Sequence, residues 1–187
     1  VFSSTAAVYG ILESGYASED TPTAPINPYG TSKLMSEWML RDLSAATPLR
    51  HVALRYFNVA GSDTTGRIGQ STPEATLLIK VAVEVAAGKR PSLSVFGTDY
   101  PTPDGTGIRD YIHVEDLATA HLAALDYLRA GGASTTLNCG YGHGYSVREV
   151  IASVERVTGR SLKVIESPRR AGDPPFLVSR ADRIKSL

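Results

Sequence analysis

Short apolar runs alternate with helical stretches along most of this chain, and that alternation limits the possible folds more than any single residue does. Strands are expected at Val1–Ser4, His51–Phe57, Leu93–Phe96, Tyr111–Val114, Thr135–Cys139 and Leu162–Ile165. Between them, helical spacing predicts a helix from Pro28 to about Pro48, with Asn27 as its cap, and another over Ala75–Ala87, closed by Gly88. The first carries Leu34, Trp38 and Leu43 near helical spacing. A third helix runs from Glu115 to Ala130, with Leu117, Ala120, His121, Ala124 and Leu128 on one face. Ser146-Val-Arg-Glu149 is a capping box that opens a fourth, ending at Gly159, and Asp182 starts a last one. Thr5–Ile26 and Asp99–Thr106 read as loops. The expected class is α/β with a largely parallel sheet, of the Rossmann-like kind.

Composition removes several functions. Among 187 residues, Lys plus Arg and Asp plus Glu each number 19, so no basic footprint for nucleic acid is present. No apolar run approaches the ~18–20 residues that span a bilayer. Cys139 is the sole cysteine, which excludes an internal disulfide and a thiolate metal cluster and suits a cytoplasmic setting. His51, His113, His121 and His143 lack metal-ligand spacing, so no metal is expected. The chain opens without Met on Val-Phe-Ser-Ser, which reads as the end of a buried strand. The expectation is a fragment.

Tyr29 and Lys33 are four residues apart near a helix start, so their side chains share a face. A phenol is a poor base near neutrality, with an ordinary pKa of about 10. A nearby ammonium favours the phenolate. Tyr-x-x-x-Lys occurs often by chance, but here a strand ends upstream in Ser3-Ser4-Thr5. Such a strand end delivers hydroxyls to the edge where open α/β sheets bind ligands.

Ser3-Ser4-Thr5, Pro28-Tyr-Gly-Thr-Ser-Lys33 and Arg55-Tyr-Phe-Asn58 together resemble the extended short-chain dehydrogenase/reductase family. The resemblance implies Tyr29 as acid/base, Lys33 as its tuning cation and holder of the nicotinamide ribose, and Thr5 sharing the substrate hydroxyl. Thr5 stands where the epimerases more often carry Ser. The long stretch Phe96–Ala118, with Arg109-Asp-Tyr111 inside it, and Pro168-Arg-Arg-Ala-Gly-Asp173 resemble the UDP-glucose 4-epimerases of that family. That implies Arg109 and Arg170 on the UDP diphosphate and Asp173 on the uridine ribose. It also implies Asn58 on sugar or phosphate, Ser94 to Phe96 beside uracil, and Phe57 near the nicotinamide. Leu77 and Leu177 depart from the pattern, standing where a polar side chain and a Tyr are common.

The implied activity is NAD-dependent, reversible C4 epimerisation of UDP-hexoses through a 4-keto intermediate, within galactose metabolism. A homodimer is implied for the full-length protein. Residues 1–61 and 107–140 would belong to the NAD-binding domain, and 62–106 and 141–187 to an incomplete UDP-sugar-binding domain. Gly140-Tyr-Gly-His-Gly144 has the wrong spacing for a dinucleotide fingerprint and reads as a strand-to-helix turn. The fingerprint itself is expected upstream, and these residues alone are expected to be inactive. A nucleotide-sugar 4,6-dehydratase is the first alternative, but Ala6-Ala7 follow Thr5 where those enzymes usually carry Asp-Glu. A non-catalytic dinucleotide-binding protein of the same fold is the second.

Overall fold

The computed structural model describes residues 1–186. Strand β1 (Phe2–Thr5) is followed by a 3₁₀ turn at Ala6–Val8, a two-residue strand β2 (Tyr16–Ala17) and helix α1 (Pro28–Ala46). Then come β3 (Val52–Tyr56), β4 (Asn58–Ala60), α2 (Leu78–Ala86), β5 (Leu93–Phe96), β6 (Ile108–His113) and α3 (Val114–Arg129). The chain continues through β7 (Thr135–Cys139), β8 (Gly144–Ser146), α4 (Val147–Thr158), β9 (Val164–Ser167), β10 (Phe176–Ser179) and α5 (Asp182–Lys185).

The strands fall into three groups. A parallel sheet has the order β1-β3-β7, a second runs β2-β10-β6-β4 with β8 antiparallel on β6, and β5 pairs in parallel with β9. The expected α/β class with parallel sheets is therefore observed. Register matters most in the first sheet: Thr5 lies beside Tyr56, and Tyr56 beside Cys139. The three strands thus end level, and Phe57 and Asn58 emerge at that edge. Val52, Ala53 and Leu54 are wholly buried, as a central parallel strand requires.

Several expected boundaries hold because local chemistry sets them. Asn27 Oδ1 accepts from the Gly30 amide at 2.8 Å, and Pro28 sits at the first helical position. Ser146 and Glu149 form the reciprocal capping box, and Gly159 closes α4 at φ 66°. Other expectations were overruled by tertiary contacts. Helix α2 begins at Leu78 rather than Ala75, because Ala75 is buried with its carbonyl accepting from Arg90 at 2.9 Å. The strand expected to reach Phe57 stops at Tyr56; after the Phe57 amide donates to Cys139, the chain crosses to β6 as β4. Strands β2 and β8 are too short for a periodic signal, and β10 is buried over its last three residues and does not alternate.

Helix α1 departs furthest from its pattern. Leu34 is buried, but Trp38 and Leu43 are about half exposed, as are Met35 and Met39. Its inward side chain after Leu34 is Glu37, only 7 % exposed. Arg55 of β3 meets Glu37 with Nε 3.0 Å from Oε1 and a second guanidinium nitrogen 2.5 Å from Oε2. Ser4 Oγ donates to the same carboxylate. Arg55 also donates to the Tyr9 hydroxyl at 3.0 Å, which donates to Asn138 Oδ1 at 2.7 Å. Burial works against the Arg55 charge, but the Glu37 hydrogen bonds outweigh it and hold the guanidinium above its ordinary pKa. This chain ties β1, α1, β3 and β7 together, and every member satisfies another.

Burial also acts on weaker acids. It pushes the Cys139 thiol up to about 12, from an ordinary 9.0. It likewise pushes the Tyr111 phenol up to about 12, from 10.0. Native Cys139 should stay unreactive toward a thiol reagent at pH 8 and react once urea unfolds the chain. Rapid labelling of the folded protein would contradict its burial. Both groups keep their protons longer in the folded state, so stability is intact below the ordinary values and falls as pH rises toward about 12.

Candidate active site

The level ends of β1, β3 and β7 place Thr5, Phe57 and Asn58 at one edge of the sheet. Strand β6 adds Arg109 and Tyr111 by simple alternation, because Asp110 and Ile112 face the interior. Strand β5 does the same with Ser94 and Phe96, while Leu93 and Val95 are buried. A cleft of about 380 Å³ results, lined by Asn58, Ser94, Phe96, Arg109, Arg170 and Asp173 among others. An adjoining hollow of about 200 Å³ is bordered by Thr5, Phe57, Asn58, Arg109 and Asp173. Asn58, Arg109 and Asp173 thus border both. Residues spread across the chain, from Thr5 to Asp173, are gathered here by the topology.

Tyr29 and Lys33 stand on α1, outside the linings of both hollows, although their cap residue Asn27 borders the smaller one. Lys33 Nζ lies 5.9 Å from the centre of the Tyr29 ring and donates to the Ser3 carbonyl at 3.0 Å. It also lies 5.2 Å from the Phe2 ring. One ammonium donor is thus fixed on β1, and the Tyr29 ring, 52 % exposed, faces solvent beside it. Thr5 is buried, and its Oγ1 accepts from the Ala7 amide at 3.2 Å, which leaves its hydroxyl proton free to donate.

The charged residues divide by task. Asp110 is fully buried and accepts from Ser179 Oγ and from the Tyr141, Gly142 and Ser179 amides, so it organises the loop after β7. Sequence reading quoted the Arg109-Asp-Tyr111 motif but assigned a role to Arg109 alone. Arg109 donates to its own strand carbonyl, Ile108 O, and lies 3.8 Å from the Asp173 carboxylate, too far for a hydrogen bond. Burial presses the Arg109 pKa downward, against the pull of Asp173. A guanidinium so placed is incompletely compensated. Arg170 lies over the Phe96 ring at 3.6 Å and makes no ion pair among the described residues. Its neighbour Arg169 instead donates to Asp99 Oδ1 at 2.7 Å and joins the Pro168–Asp173 segment to the Asp99–Thr106 loop.

Leu77, at the start of α2, is 42 % exposed and lines the larger cleft, whereas Leu177 is buried in the core with Phe57 and borders the smaller hollow. Phe57 therefore packs in the core and borders the smaller hollow at once. Tyr111 and Tyr100 also line the larger cleft and were not singled out from sequence. The alternation of β6 was the available signal for Tyr111; Tyr100 lies in a turn, where periodicity is silent. His113 caps α3 by accepting from the Glu115 amide, and His121 and His51 bond Leu117 O and Ser44 Oγ.

Residues 1–140 match the profile of the NAD dependent epimerase/dehydratase family. The chain belongs to that family. A UDP-glucose 4-epimerase from Azospirillum brasilense is 63 % identical over 99 % of this chain and 53 % of its own length. Among solved structures, a UDP-glucose 4-epimerase from Brucella ovis in complex with NAD superposes with a TM-score of 0.93 at 47 % identity, covering 99 % of this chain and 57 % of that one. An epimerase from Stenotrophomonas maltophila, with bound NAD and formylated UDP-arabinopyranose, gives 0.94 at 42 % identity, covering 99 % and 56 %. The chain spans about half the length of the curated relatives it matches. Among the described residues, no helix is long and apolar enough to cross a membrane.

Proposed function

We propose that these residues are part of an NAD-dependent epimerase acting at C4 of a UDP-hexose, UDP-glucose and UDP-galactose being the pair. The observation that carries the reading is a cleft with two guanidinium groups that lack full ion pairs, Arg109 and Arg170, beside a sheet edge bearing Thr5 and flanked by Tyr29 and Lys33. Guanidinium groups match phosphate oxygens, so Arg109 and Arg170 take the diphosphate. Asp173, which is exposed, accepts from the ribose hydroxyls. Ser94 and Phe96 face the base, and Asn58, shared by both hollows, reaches the sugar side.

Tyr29 moves the proton of the 4-hydroxyl, Lys33 places an ammonium beside its ring, and Thr5 donates its free proton to the sugar oxygen. Two donors of the Lys33 ammonium remain beyond the Ser3 bond, which fits a ribose diol, and Phe57 offers an apolar wall beside Thr5. NAD would be held at its nicotinamide ribose by Lys33 and beside Phe57, and it would supply the hydride exchange at C4. Arginine anchoring of the diphosphate leaves the sugar itself free to turn in the site.

Ala6, beside Thr5, is buried, and Ala6 and Ala7 offer no group for the second proton transfer that a 4,6-dehydratase needs. Incubating full-length protein with UDP-glucose should yield UDP-galactose; a 6-deoxy-4-keto product would replace this reading with dehydration. A panel including N-acetylated and pentose UDP-sugars would rank substrates, with Leu77 lining the cleft as the position that sets them.

We place residues 1–61 and 107–140 with the cofactor and 62–106 and 141–187 with the UDP-sugar; Leu187 lies outside the described residues. The β1-β3-β7 sheet falls within the first set, while the second sheet draws on both. A homodimer is part of the same proposal, supported by Met35, Trp38, Met39 and Leu43, which form one exposed stripe on α1. Trp38→Glu should then yield a monomer by light scattering; an unchanged mass for a wild-type dimer would move the interface elsewhere.

A further inference from the structure

His121 sits on α3, outside the linings of both hollows, yet two hydrogen bonds connect it to Lys33. Its Nδ1 lies 2.8 Å from the Leu117 carbonyl, one turn back in the same helix. A carbonyl oxygen only accepts, so Nδ1 carries the ring proton, and the neutral ring leaves Nε2 as an acceptor. Ser3 Oγ lies 3.3 Å from Nε2 and donates to it. The helix itself thus sets the tautomer that receives Ser3.

Ser3 lies in the short strand that carries Thr5. The two are two residues apart in β1 and share a face, whereas Ser4 turns to the other face and donates to Glu37 of α1. Helix α3 therefore holds β1 from one side and α1 from the other. The Ser3 carbonyl accepts from Lys33 Nζ at 3.0 Å, and that ammonium lies 5.9 Å from the centre of the Tyr29 ring. One residue thus joins imidazole to cation, with its hydroxyl on His121 and its carbonyl on Lys33. A lysine ammonium rides on a flexible four-carbon stem, so its place depends on where its acceptor is held. We propose that His121 is a positioning residue for the epimerisation, fixing Ser3 so that the Ser3 carbonyl holds the Lys33 ammonium beside Tyr29.

This rests on the reading of Tyr29 and Lys33 as the catalytic pair, and the test separates the two. Turnover of UDP-glucose and affinity for UDP should be measured on full-length wild type, His121→Leu, His121→Gln, Ser3→Ala and Lys33→Met. His121→Leu should lower kcat about fivefold, the loss expected for one hydrogen bond, with UDP affinity unchanged. Ser3→Ala should lose as much, and the two changes together no more than either alone. A glutamine amide reaches about as far as Nε2 and accepts from a hydroxyl, so His121→Gln should recover most of the rate. The sharpest variant adds His121→Leu to Lys33→Met, where a residue acting through Lys33 should cost no further rate. A fivefold loss repeated in that background would make the imidazole merely structural, as would equal losses of rate and UDP affinity, or a His121→Gln no faster than His121→Leu. Wild-type kcat in His121→Leu would overturn the proposal outright. Lys33→Met at the wild-type rate would instead remove the catalytic reading, and the proposal with it.

Discussion

Tyr29→Phe in the full-length protein should lower turnover by about 10²–10⁴-fold while leaving UDP affinity near wild type. The change removes one oxygen from a ring that is half exposed, so folding has little to lose. Arg109 and Arg170, proposed to hold the diphosphate, line a cleft that Tyr29 does not. Loss of rate without loss of affinity is therefore the signature of proton transfer at this phenol. Lys33 supplies the comparison. Its ammonium is fixed to Ser3 O at 3.0 Å beside the Tyr29 ring, so Lys33→Met should also lower the rate. Turnover that survives Tyr29→Phe would remove the acid/base assignment. A parallel loss of UDP affinity would turn it into a binding role.

Glu37→Ala should cost about 3–5 kcal/mol of folding stability, read as a lower urea midpoint at similar slope. The reason is what remains after the change. Arg55 would keep a buried positive charge with the Tyr9 hydroxyl as its remaining side-chain partner, and Ser4 Oγ would lose its acceptor. Replacing both members, Glu37→Leu with Arg55→Leu, should recover much of the loss, because no charge is then left unpaired. A Glu37→Ala variant within 1 kcal/mol of wild type would show that water reaches Arg55. The pair sits beneath the strand ends that carry Thr5 and Phe57, so the same variant tests how firmly the site is supported.

Much of the local structure was legible in advance, and for identifiable reasons. Caps act within a few residues, so Asn27, the Ser146–Glu149 box and Gly159 announced their helices. Strands β5 and β7 stand at their expected bounds, and in β5 buried and partly buried side chains alternate. For helix α1, apolar spacing marks the helix but does not say which apolar side chains face inward. Leu34 is buried, yet Trp38 and Leu43 are not, and the inward place is taken by Glu37. No local rule puts a carboxylate there; it is stable only because Arg55, from another strand, meets it.

The site divides the same way. The sequence by itself determined the chemical kinds involved: a Tyr and a Lys one helical turn apart, a hydroxyl at a strand end, and two arginine motifs far apart in the chain. Those follow from residue identity and short-range spacing. It took the folded chain to show that Asn58, Ser94, Phe96, Arg109, Arg170 and Asp173 share one cleft, and that the Tyr100 hydroxyl is buried with no partner among the described residues. Proximity between distant segments is set by sheet order and register, and an unpaired buried atom exists only once every neighbour is in place. Neither quantity is carried by any stretch of sequence short enough to read alone.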